Sequence, residues 1–113
     1  MTTIYHNPKC SKSRQTLALI EAAGIAPKVV RYLDAPLTRD VLADLVARSG
    51  RPASDFFRAG EAQAKELGLT KGSDPEALLD AIAAHPKLME RPVVVTDKGV
   101  ALGRPPEGVC EIL

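Results

Sequence analysis

A chain of 113 residues with 45% hydrophobic side chains suits one compact soluble domain, residues 1–113, with a single core. Fifteen Lys and Arg against fourteen Asp and Glu leave a net charge of +1, so no global field recruits nucleic acid or an acidic membrane surface. No apolar run approaches the roughly eighteen residues of a membrane span, and no secretory signal pattern opens the chain, so a cytoplasmic protein is expected.

Thr2-Thr3-Ile4-Tyr5 reads as a short strand, and Pro8 ends it. Leu17, Ile20, Ala23 and Gly24 then mark an amphipathic helix and its end. Between them lies His6-Asn7-Pro8-Lys9-Cys10-Ser11-Lys12-Ser13-Arg14. Cys10 is thereby placed at the helix N-terminus, where free N–H groups and the helix dipole stabilise a thiolate. Lys9, Lys12 and Arg14 add positive charge beside it. Such settings lower a cysteine pKa from about 8.5 to roughly 3.5–7.5. Cys10 is the expected nucleophile, against the bland alternative of a small buried hydrophobe.

Gly24 and Pro27 precede a second strand, Lys28 to Tyr32, which closes a right-handed βαβ unit with parallel pairing. Thr38 caps a helix with apolar face Val41, Leu42, Leu45 and Val46, and Gly50 stops it. Helical patterning continues over 53–57, 60–67 and 75–84, the last opened by Ser73 or Asp74 with Pro75. Pro92 to Thr96 is a strand, Asp97-Lys98-Gly99 a tight turn, and Val100 to Leu102 the returning strand. Arg104-Pro105-Pro106-Glu107 opens a last helix that ends at Leu113. The order β-α-β, helices, β-β-α is that of an α/β thioredoxin- or glutaredoxin-like fold. It predicts a mixed four-stranded sheet with a helical insertion over residues 38–86.

Ser13 stands where thioredoxin-type enzymes carry a second cysteine, so no internal disulfide can form and an external thiol must complete any redox cycle. Its hydroxyl either donates to the thiolate or satisfies backbone in the first helical turn. Cys110 is too far from Cys10 in sequence for a framework of disulfides, and its neighbours read as a short helix packed on the sheet. His6 and His85 complete no metal-ligand spacing, and no bound cofactor or metal is expected. A phosphatase loop needs Cys-x5-Arg; here Cys10 is followed by Arg14 after three residues, which fits poorly.

Together the opening Tyr5 to Arg14 motif, Phe57-Arg58 with Lys65-Glu66-Leu67-Gly68-Leu69, Arg91-Pro92, Gly103-Arg104-Pro105-Pro106-Glu107 and the ending Glu111-Ile112-Leu113 are similar to the glutaredoxin-coupled arsenate reductases. That resemblance spans essentially the whole chain. It implies that Cys10 attacks arsenate, that glutathione serves as co-substrate, and that glutaredoxin resolves the resulting disulfide; a monomer is expected. It also implies that Arg58, Arg91 and Arg104 bind the oxyanion, and that His6 helps set the ionisation of Cys10. Guanidinium forks suit a tetrahedral anion and offset its repulsion from a thiolate. Arg14 is expected to face solvent or to meet an oxyanion or a glutathione carboxylate. The thioredoxin-like frame makes the Arg91-Pro92 bond a candidate cis peptide. Two alternatives share the fold: a thiol-responsive regulator that binds RNA polymerase, which usually carries Cys-x-x-Cys, and a glutathione-dependent thiol oxidoreductase acting on another oxyanion.

Overall fold

The computed structural model describes residues 1–113. Its strands are β1 (Thr3–Tyr5), β2 (Lys28–Val30), β3 (Val93–Thr96) and β4 (Gly99–Leu102), and its α-helices are α1 (Ser11–Ala22), α2 (Arg39–Ser49), α3 (Ala62–Glu66) and α4 (Pro75–Ala84). Three short 3-10 segments, Ala53–Phe56, Pro86–Leu88 and Pro106–Ile112, complete the order. None of the helices is long and apolar enough to cross a membrane. The chain divides into two compact units, Met1–Ala35 with Arg91–Leu113, and Pro36–Glu90.

The first unit holds the expected mixed sheet, in the order β2-β1-β3-β4. β1 runs parallel to β2 and antiparallel to β3, and β3 and β4 form the predicted hairpin. Ile4 is paired with Val94, so both side chains leave the same face of the sheet. That face carries a core of Ile4, Ile20, Val94 and Val109, all fully buried, with Leu17, Ile25 and Ala101 packed around it. Each such aliphatic side chain contributes roughly 1.5–3 kcal/mol on burial.

Two elements differ from the sequence reading. β2 ends at Val30, because the Arg31 carbonyl accepts N–H bonds from Asp34 at 3.0 Å and Ala35 at 2.9 Å and so starts a turn. Tyr32 leaves the strand but remains buried. The last helix is 3-10, with Gly108 N–H donating to the Pro105 carbonyl three residues back. The chain end is tied back by Thr96 Oγ1, which donates to the Ile112 carbonyl at 2.6 Å, and by Lys98 Nζ, which donates to Leu113 O at 3.0 Å.

The second unit is helical. Thr38 Oγ1 accepts from Val41 N–H at 3.2 Å and caps α2, while Gly50 ends it in the left-handed region at φ 70°. Asp74 caps α4 through Glu76 N–H, with Pro75 as its first residue. Leu42, Leu45, Phe56, Leu78, Ile82 and Leu88 are buried in this unit. Arg39 on α2 bonds Glu76 and, at 2.5 Å, Asp80 on α4.

Candidate active site

The turn from β1 into α1 is built by Asn7. Its side-chain oxygen accepts the Lys9 N–H at 3.0 Å, and its carbonyl accepts the Cys10 N–H at 3.0 Å. His6 N–H still donates to Val30 O at 2.8 Å, so the extended pairing runs up to the turn. Arg14 is exposed, as expected, and its Nη1 donates to the Pro8 carbonyl at 2.9 Å. Cys10 is the N-cap residue of α1, with extended φ −94° and ψ 123°, and its carbonyl accepts the first helical bond from Arg14 N–H. The sequence reading of Cys10 as a helix N-terminal thiol is therefore realised in the backbone.

Only 8% of Cys10 is exposed. Burial pushes its thiol pKa up, yet the net shift is downward. The Ser13 N–H, the charge of Arg91, the Lys12 N–H and a hydrogen bond from the Arg91 side chain together outweigh the desolvation. Arg104 adds a contact from Nη2 to Cys10 Sγ at 3.8 Å and places its Nε against the Arg91 carbonyl at 3.0 Å. Two guanidinium groups, far from Cys10 in sequence, thus meet at one sulphur.

The loops that carry them are constrained. The Arg91-Pro92 peptide is cis, as the thioredoxin-like frame led one to expect, and so is Arg104-Pro105, which the sequence reading did not anticipate. Gly103 N–H donates to the Pro92 carbonyl at 3.0 Å. A Cβ at Gly103 would come within 2.6 Å of Pro92 Cγ and would also strike Thr16 Oγ1 on α1. Only glycine lets the segment between β4 and Arg104 approach Pro92 and α1 this closely. Sequence reasoning passed over Gly103; the Gly-Arg-Pro-Pro run was the available signal.

His6 and Ser13 are both buried and are joined, Nδ1 to Oγ, at 2.6 Å. Burial first, then the charges of Arg31 and Arg14, lower the His6 pKa and favour the neutral ring. A neutral ring lets Nδ1 accept the Ser13 proton while Ser13 Oγ accepts from Asn7 N–H at 3.0 Å. The Ser13 hydroxyl therefore serves the turn and His6, and it is the Ser13 backbone N–H that acts on the thiol.

Arg58 belongs to the helical unit, where it forms an ion pair with Glu61 at 2.7 Å and its Nη1 lies 3.5 Å from the Lys87 carbonyl. Of the three expected arginines, Arg91 and Arg104 are brought together at Cys10 by the sheet unit. His85 ends α4, as read from the sequence, and bonds Gln63 at 2.8 Å. Cys110 departs from its expected packing: it is exposed, because the 3-10 segment buries Pro106 and Val109 instead.

A model of the ArsC family matches residues 5–112. The chain is 46% identical over 112 residues to an arsenate reductase of Neisseria meningitidis serogroup B, covering 97% of this chain and 96% of that one. It is 47% identical over 112 residues to the uncharacterized protein YfgD of Escherichia coli K12, covering 97% and 94% respectively. A solved structure of an arsenate reductase from Vibrio cholerae superposes with a TM-score of 0.93 at 47% identity, covering 99% of this chain and 97% of that one.

Proposed function

The chain belongs to the ArsC family, and on that premise we propose that it is an arsenate reductase that works through Cys10, glutathione and glutaredoxin. The observation that carries this reading is the meeting of Arg91 and Arg104 at a Cys10 thiol whose ionisation is favoured. A tetrahedral anion approaching that sulphur enters a field already arranged for negative charge, so little reorganisation accompanies its attack.

In the proposed cycle the Cys10 thiolate attacks arsenic(V), an As–O bond breaks, and the leaving oxygen departs as water after taking a proton. Glutathione thiolate then attacks the Cys10 sulphur. The S–As electron pair passes to arsenic, which leaves as arsenite, arsenic(III), while the two thiols become a mixed disulfide. Glutaredoxin thiolate attacks that disulfide and frees Cys10. With Ser at position 13, the enzyme has no second thiol at the usual spacing to close an internal disulfide, which is why the cycle calls for external thiols. Arg91 and Arg104 would hold the oxyanion and the thiolate; Ser13 and His6 act as positioning residues through the turn.

The test is a coupled assay that follows NADPH consumption in the presence of glutathione, glutaredoxin, glutathione reductase and arsenate. Turnover by the wild type and its loss in Cys10→Ser are expected. Equal rates for the two proteins would overturn the assignment.

A further inference from the structure

The residues just before Cys10 also form one wall of a cavity of about 270 Å3, whose other wall is the turn that follows β2. Pro8 and Lys9 stand on the first wall, and Arg31, Leu33 and Asp34 on the second. The cavity therefore brings together two cations, one carboxylate and two apolar groups. Lys9, Arg31 and Asp34 are exposed, and none of the chain's ion pairs or side-chain hydrogen bonds engages their charged groups. Arg31 is nonetheless held close enough to contribute to the lowered His6 pKa. Leu33 is 40% exposed, an apolar surface set among these charges.

We propose that this cavity docks the thiol co-substrate, a small peptide thiol with two carboxylates and a free α-ammonium, of which glutathione is the type. Lys9 and Arg31 take the two carboxylates, Asp34 takes the ammonium, and Pro8 and Leu33 cover the aliphatic chain. The assignment rests on the reading above that glutathione is consumed, and extends it to residues which that reading leaves idle. Two positive groups and one negative group on the protein match two negative groups and one positive group on the ligand, whereas a simple monothiol offers neither set. The volume lies just below the range of ligand pockets, about 300–1,000 Å3, and suits a short peptide better than a protein segment. Lys9 adjoins Cys10 in the chain, so this wall of the cavity ends one residue before the nucleophile.

The test uses S-methylglutathione, which cannot form a disulfide, titrated into the Cys10→Ser protein and followed by backbone amide NMR. Shifts are expected at Lys9, Arg31, Leu33 and Asp34. The double variant Lys9→Gln with Arg31→Gln should weaken binding about tenfold, as the loss of two exposed charge contacts implies. Asp34→Asn should weaken S-methylglutathione but leave its N-acetyl form unchanged. In the otherwise wild-type enzyme the double substitution should raise the glutathione KM by a similar factor and the arsenate KM by much less. Shifts confined to other residues, or a double variant that binds as well as its parent, would overturn the site even if arsenate is turned over. A protein that reduces no arsenate yet binds S-methylglutathione through these residues would fail the substrate assignment and support the site.

Discussion

Arginine is put to two uses in the two units of this chain. In Pro36–Glu90, Arg39 is matched by Glu76 and Asp80, and Arg58 by Glu61, so each guanidinium meets carboxylate on its own unit's surface. In the sheet unit, Arg104 reaches the Cys10 sulphur and the Arg91 carbonyl, and Arg91 acts on the same sulphur. Of the first kind, the Arg39 pairs tie α2 to α4. The second concentrates charge on a buried thiol, where low dielectric makes it count for more. Solvated pairs of the first kind are worth about 0.2–1 kcal/mol each. What separates the two uses is the anion placed opposite the guanidinium, not the residue type.

The comparison breaks most visibly at Arg91. Arg91→Ala should lower arsenate turnover by about a hundredfold or more, the usual effect of removing one donor from a developing anion. The iodoacetamide rate of Cys10, followed against pH, should move in a definite direction as well. Arg91 lowers the thiol pKa, so its loss must raise the inflection towards the free-cysteine value of about 8.5 and shrink the thiolate fraction at neutral pH. An inflection that stays in place would mean that Arg91 does not serve the sulphur.

Gly103→Ala tests the backbone that delivers Arg104. The added methyl meets Pro92 and Thr16, and overpacking of this kind costs roughly 1–3 kcal/mol. Urea unfolding should show that loss, and the alkylation rate of Cys10 should fall with it. Full stability with unchanged thiol reactivity would show that Arg104 reaches Cys10 without this close approach.

The smallest effect is expected at Arg39. Arg39→Gln should cost about 1 kcal/mol in urea unfolding, since its partners are largely solvent-exposed, and should leave the Cys10 inflection where it was. A shifted inflection in that variant would erase the distinction between the two uses of arginine.

Much of this is legible in the sequence, and for local reasons. Thr38, Asp74 with Pro75, and Gly50 act within a turn of the helix they delimit, so their residue types announce the boundaries. Cys10 at the α1 N-terminus follows from Pro8 and the helical period after it. Where local signals competed with tertiary demands, the reading slipped. Val30 ends β2 because Arg31 turns the chain to bury Tyr32, and the final helix is 3-10, with its end tied to Thr96 and Lys98 on the neighbouring hairpin. Ser13 was legible as a residue of the site, but the direction of its hydroxyl towards His6 was not.

The sequence by itself determined the order of elements, the mixed sheet and the single thiol that a helix N-terminus would activate, because these depend on residues a few positions apart. Tertiary structure decided which arginines meet that thiol. Antiparallel pairing of β1 with β3 and of β3 with β4 brings Arg91 and Arg104 to the end of the sheet where β1 delivers Cys10, and Gly103 permits the final approach. Convergence of that kind arises from long-range pairing, which no stretch of the chain carries alone.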